Sequence, residues 1–85
     1  MQFMVVINMT GEFDGNFMAR VAEDTAYSNR LRKEGVQGEI MMRDDLRRCW
    51  SVFNANSREE LQGILEGFPL YEKLEYEVYP LWQEE

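Results

Sequence analysis

Any acid–base chemistry in this chain runs without imidazole, because its 85 residues include no histidine. A Ser–His or Cys–His nucleophile pair is therefore excluded, and no side chain titrates near neutrality at its ordinary pKa. Proton transfer falls to Asp, Glu, Tyr, Lys, Cys or a tuned water. Cys49 is the one cysteine, so neither an intrachain disulfide nor a zinc site of Cys and His can form. Nothing next to Cys49 in sequence marks it as an activated thiol, and it reads as buried and inert.

Glu39 is the first candidate base. It alternates with Met41 in a strand-like stretch, and facing an apolar interior it would be desolvated and its pKa raised. In the alternative reading it faces solvent or pairs with a neighbouring arginine. Arg43, Arg47 and Arg48 flank a turn, where planar guanidinium forks suit a ligand carboxylate or enolate. They equally suit a solvated edge that neutralises Asp44 and Asp45.

Glu23 and Tyr27 share a helix face at i,i+4 with Asp24 beside them, making Glu23 a second acid or base. Such residues also belong on the surface helix of an acidic chain. Asn8 interrupts an apolar strand, to hold a ligand oxygen or to satisfy a strand end. Trp50, Tyr76 and Tyr79 are aromatic wall or plain packing. Met4, Met9, Met18, Met41 and Met42 are core or adaptable lining.

The elements that position these residues follow from spacing. Gln2 to Met9 reads as a strand with Phe3, Val5, Ile7 and Met9 on one face and Met4, Val6 and Asn8 on the other. A helix is expected from about Gly15 to Glu34, N-capped by Asp14 and ended by Gly35. Phe17, Val21, Ser28 and Leu31 form its inner stripe, with Met18, Ala22 and Thr25 beside them. Arg20/Asp24 and Arg30/Glu34 are expected as pairs on its solvated side.

Strands at Glu39–Arg43 and Arg47–Asn54 flank a turn at Asp44-Asp45. Ser57 and Glu60 make a capping box for a second helix that buries Leu61, Ile64, Leu65 and Phe68 and stops at Gly67 and Pro69. Leu74 to Tyr79 is the last strand. The order βαββαβ, without repeats or linkers, is the α+β ferredoxin-like arrangement with an antiparallel four-stranded sheet, in one domain over residues 1–85.

Both faces of the first strand are apolar, whereas helices cover only one face of such a sheet. Small domains are commonly reinforced by disulfides, metals or oligomerisation, and self-association is the route left here. The expected partner is a second copy, giving a dimeric α+β barrel or a higher homo-oligomer. Leu81 and Trp82 in the tail Leu81-Trp82-Gln83-Glu84-Glu85 read as interface anchors. A net charge of −7 argues against nucleic acid and against an anionic membrane surface. Met1-Gln2-Phe3 has no basic leader character, so a cytoplasmic protein is the simplest expectation.

Ser51-Val52-Phe53-Asn54, Ser57, Leu61, Leu65 and Phe68-Pro69-Leu70-Tyr71 through Glu77-Val78 resemble the C-terminal half of muconolactone isomerases. Ala22-Glu23-Asp24 and Arg30-Leu31-Arg32-Lys33-Glu34-Gly35 resemble that family's first helix and its end. The resemblance implies a ferredoxin-like subunit assembled in pairs or rings, and a cofactor-free proton shift on a small unsaturated lactone near subunit contacts. It also implies that the first helix contributes to the pocket. The family's hairpin is rich in Trp, Arg, His and Tyr, whereas this one reads Gln37-Gly38-Glu39 and Leu46-Arg47-Arg48-Cys49-Trp50.

The leading expectation is a cofactor-free isomerase or cyclase acting on a small lactone or polyketide-like intermediate. Glu39, or Glu23, moves a proton alpha to a carbonyl, and Arg43 or Arg47 stabilises the enolate; Asn8, Tyr27, Met41, Trp50 and Tyr76 line the substrate. A non-catalytic binding protein on the same scaffold is the second reading, favoured by the missing histidines and the altered hairpin. A cofactor-free oxygenase is the third.

Overall fold

The computed structural model describes residues 1–82, and Gln83, Glu84 and Glu85 of the tail lie outside the described residues. The elements run β1 (Gln2–Met9), α1 (Gly15–Lys33), β2 (Gln37–Met42), β3 (Arg48–Asn54), α2 (Arg58–Glu66), a 3-10 turn (Tyr71–Lys73) and β4 (Leu74–Pro80). The sheet order is β2-β3-β1-β4 and every pairing is antiparallel. This is the ferredoxin-like fold expected from the element order. Among the described residues no helix is long and apolar enough to cross a membrane.

Local chemistry sets the ends of α1. The Asp14 carboxylate accepts the Phe17 N–H at 2.8 Å, as an N-cap should. At the other end Gly35 takes φ 78°, a left-handed conformation that glycine enters without steric cost. The N–H of Val36 donates to Leu31 O at 2.9 Å and that of Gly35 to Arg32 O at 3.2 Å, the paired bonds of a Schellman ending. For α2, the Ser57 hydroxyl accepts the Glu60 N–H at 3.0 Å. The Glu60 carboxylate accepts from Asn56 N rather than from the cap residue itself, so the capping box closes one residue early.

Phe3, Val5 and Ile7 of β1 meet Phe53 of β3, Leu61, Leu65 and Phe68 from the second helical segment, and Leu31 of α1 in one core. Two close approaches fix how the helices sit. Tyr27 of α1 reaches across and donates its hydroxyl to Ile64 O at 2.8 Å, with its ring edge-on to Phe68. The backbone at Gly67 passes so near that a Cβ there would lie 2.3 Å from the Tyr27 hydroxyl.

β2 departs from its expected bounds. It begins at Gln37 and ends at Met42, and its register with β3 shifts between Gln37 and Ile40. A buried polar string explains the shift. Ser28 Oγ donates to Gln37 Oε1 at 2.8 Å, and Ser51 Oγ donates to the carbonyls of Gly38 and Glu39 at 3.3 and 3.1 Å. These bonds satisfy backbone groups that the irregularity frees from the ladder. Arg43 consequently falls outside the strand, in the turn that carries Asp44 and Asp45.

The face away from the helices shows rows set by register: Val52–Met4–Tyr79, then Met41–Trp50–Val6–Glu77. Arg48 bridges to Glu77 at 3.5 Å and stacks over the Trp50 ring. The centre of that face is apolar and, among the described residues, no element packs on it. Leu81 and Trp82 continue past β4, with Trp82 85% exposed.

Candidate active site

The sheet and α1 do not close completely over one another. Between them lies an inner cavity of about 140 Å³, bounded by Ile7, Cys49 and Tyr76 from the sheet and by Asp24, Thr25 and Ser28 from α1. It adjoins an outer cavity of about 240 Å³ near the β2–β3 turn, and the two share Met9, Asp24, Thr25 and Met42 as walls. Small-molecule sites are concave, mostly apolar and carry a few converging polar groups, which describes this pair.

Asp24 stands where the two cavities meet. Burial raises its carboxyl above the ordinary aspartate value, while the Leu70 N–H, donating to Oδ1 at 3.2 Å, partly offsets that. It does not pair with Arg20, which instead donates to Pro69 O. The expected solvated Arg20/Asp24 pair is thus replaced by a carboxyl turned toward the pocket. A signal for this existed in the sequence. Phe17, Val21, Ser28 and Leu31 step by four, seven and three, and Asp24 fills the missing position on the inner stripe.

Tyr76 reaches the inner cavity from β4. Its hydroxyl is buried with no hydrogen-bond partner among the described residues. Burial is the main cause that raises its pKa, with the charge of Asp24 second, so it stays a donor. Cys49 faces the same space, and burial, again with Asp24 nearby, pushes its thiol up to about 11. A thiol so far from ionised is a poor nucleophile, in keeping with the inert reading.

The remaining candidates fall elsewhere. Glu39 is exposed on β2, not turned into an apolar interior: it alternates with Met41 as expected, but Met41 lies on the sheet face away from the helices and Ile40 between them faces the cavity. Glu23 is exposed on α1, one position off the inner stripe. Arg43 is exposed and held by both oxygens of Asp45, at 2.8 and 2.7 Å. Arg47 donates to the carbonyls of Met9 and Gly11 at 3.2 and 2.8 Å and lies over the Phe13 ring.

Arg43 is turned to Asp45 in the exposed turn, whereas Arg47 uses only Nη1 for its two carbonyl partners and stands over Phe13 rather than among the residues that line the inner cavity. Tyr27 is spent on the α1–α2 contact. Asn8, Met41 and Trp50 lie on the uncovered sheet face, with Asn8 paired in register to Arg48 and Glu75. Of the candidates given a catalytic or substrate-binding role, the structure brings Tyr76 to the inner cavity, where Asp24 joins it, and Met9, Met18 and Met42 serve as lining. Among the described residues no cluster of three His, Cys, Asp or Glu side chains is placed to hold a metal ion.

Fold and site define a ferredoxin-like α+β domain with a helix-covered pocket and a desolvated carboxyl at its waist. The chain belongs to the muconolactone delta-isomerase family, whose model matches residues 1–84. It is 38% identical over 60 residues to Muconolactone Delta-isomerase 1 of Acinetobacter lwoffii. That match takes in 71% of this chain and spans 62% of the length of that relative. A crystal structure of a muconolactone isomerase superposes with a TM-score of 0.84 at 24% identity, covering 99% of this chain and 91% of that one. The last likeness establishes the fold.

Proposed function

We propose that this protein isomerises a small unsaturated lactone by moving a proton alpha to the carbonyl, without a cofactor, in the pocket beneath α1. The observation that carries the proposal is Asp24, a carboxyl with a raised pKa at the junction of two apolar cavities. Membership of the muconolactone delta-isomerase family supports the reaction class.

In this reaction the Asp24 carboxylate takes the proton, and the C–H electron pair moves into the ring as a dienolate. The carbonyl oxygen, now carrying negative charge, accepts a hydrogen bond from the Tyr76 hydroxyl. Asp24 then returns its proton to the far carbon of the dienolate, and the double bond has moved. A raised pKa suits this shuttle, since a base works best when its pKa approaches the working pH. A second copy of the chain covers the open face around Trp50 and Met4.

Turnover of a panel of unsaturated lactones by three variants tests the reading. Asp24→Asn is expected to lose on the order of 10²–10⁴ in kcat. Glu39→Gln and Glu23→Gln, both altered at exposed positions, keep wild-type rates. A fully active Asp24→Asn removes Asp24 from the mechanism. The hold of Asp45 on Arg43 favours a second reading, a binding protein that holds lactones unchanged, and the same panel shows it by binding without conversion.

A further inference from the structure

We propose that Gln37 is a second catalytic donor, its carboxamide N–H meeting the lactone carbonyl oxygen beside the Tyr76 hydroxyl. The inference rests on the placement of the lactone at Asp24 given above and adds a residue to it. Gln37 is 4% exposed, and it lines the inner cavity together with Tyr76 and Asp24.

The direction of this side chain is set by an irregularity in β2. Gln37 pairs with Phe53 and Ile40 with Ser51, so β2 takes three steps where β3 takes two. Ile40 faces the cavity. Counted back from it along an unbroken ladder, Gly38 would share that face and Gln37 would lie on the open one. The extra residue turns Gln37 under α1 instead, in the way that a bulge re-aims a side chain. Gly38 sits at the irregularity, where a Cβ would lie 3.3 Å from Val52 O. The Ser51 hydroxyl donates to the Gly38 and Glu39 carbonyls there.

Neighbouring hydroxyls then orient the carboxamide. Ser28 Oγ donates to Gln37 Oε1 at 2.8 Å, which fixes the acceptor end against α1. Of the two N–H donors, one reaches Ser51 Oγ at 3.4 Å, and the other has no partner among the described residues. The Tyr76 hydroxyl has none either. A buried donor left over is costly, and a ligand oxygen relieves that cost. The other polar walls are placed for different work. Asp24 is the base, Ser28 gives its proton to Gln37, the Cys49 thiol is a weak donor, and Thr25 and Arg32 are exposed. A carbonyl oxygen that gains charge in this cavity is thus offered two fixed neutral donors, an arrangement that stabilises an oxyanion as it forms.

Infrared difference spectra of a saturated five-membered lactone, isotopically labelled at the carbonyl carbon, read those hydrogen bonds without turnover. In wild type the bound carbonyl band should lie below its position in hexane. Gln37→Met keeps the length of the side chain and removes the donor, so the band should rise. Tyr76→Phe should raise it too, and the double variant should raise it furthest. Ser28→Ala leaves the carboxamide in place without its anchor, so the band should broaden and fall between those of wild type and Gln37→Met. With an unsaturated lactone, Gln37→Met should lose on the order of 10²–10³ in kcat, the usual effect of removing one such donor.

A band that Gln37→Met leaves at the wild-type position overturns the proposal, and so does the absence of any bound band in wild type. Should Gln37→Met not fold, an unmoved band in Ser28→Ala overturns it. A raised band in Gln37→Met with full activity in Asp24→Asn would sink the acid–base reading and leave this donor standing. An inactive Asp24→Asn with an unmoved band in Gln37→Met would do the reverse.

Discussion

Replacing Gly67 by alanine isolates the contact that sets α1 against α2. Gly67 has φ −74° and ψ −14°, ordinary right-handed geometry, so alanine meets no backbone strain. On backbone entropy alone the change would stabilise by about 0.4–1 kcal/mol. The new Cβ, however, would lie 2.3 Å from the Tyr27 hydroxyl, 2.7 Å from its Cζ and 3.2 Å from Ile64 O. Overpacking of this kind costs about 1–3 kcal/mol. Displacing the tyrosine also breaks its bond to Ile64 O, about 0.5–1.5 kcal/mol more.

The net expectation for Gly67→Ala is a loss of about 0.5–4 kcal/mol, and each kcal/mol lowers the melting temperature of a domain this size by about 4–8 °C. Thermal and urea melts of Gly67→Ala, Tyr27→Leu and the double variant form a cycle. In the Tyr27→Leu background the glycine substitution should cost less than about 0.5 kcal/mol or stabilise, because the clashing hydroxyl and ring are gone. Equal costs in both backgrounds, or a stabilised single variant, would refute the close approach. Asp24 lies one turn before Tyr27 on α1, so the same displacement should loosen its bond from Leu70 N.

Three further outcomes follow from the geometry. Asp24 has a folded pKa raised above 3.8, so the folded state holds its proton more tightly than the unfolded chain, and stability is lost as pH rises through the folded value. Asp24→Asn, which cannot ionise, should therefore melt higher than wild type at pH 7, with the difference shrinking toward pH 3.8 and below, as followed by paired melts across pH. Arg47→Ala releases the Met9 and Gly11 carbonyls and the Phe13 ring; KM should rise on the order of fivefold while kcat changes less than about twofold, read from steady-state kinetics. Trp50→Glu places a charge at the centre of the open sheet face, and light scattering should show a dimer or larger assembly in wild type and single chains in the variant.

Much of the scaffold was legible because local rules and tertiary packing agree at its joints. Asp14, Gly35 and Ser57 each mark an element end by chemistry that acts within a few residues, and each does so in the structure. Tyr76 read as aromatic wall or plain packing, and in the structure it stands among the residues that line the inner cavity. The pocket was harder to see. Asp24 is a charge on an otherwise apolar stripe, and what reconciles it with that position is a backbone N–H from Leu70, 46 residues away. Glu39 misled because alternation groups it with Met41 without saying which of the two faces the helices cover, and that face is the open one.

Proton movement at the lactone can be watched directly by incubating an unsaturated lactone with the protein in heavy water and following the alpha-carbon signal by NMR. Wild-type protein should wash deuterium into that position and at the far carbon of the shifted double bond, while Asp24→Asn should do neither though it still binds the ring. Isomerisation and deuterium entry at the wild-type rate with Asp24→Asn would contradict a carboxyl shuttle at this site.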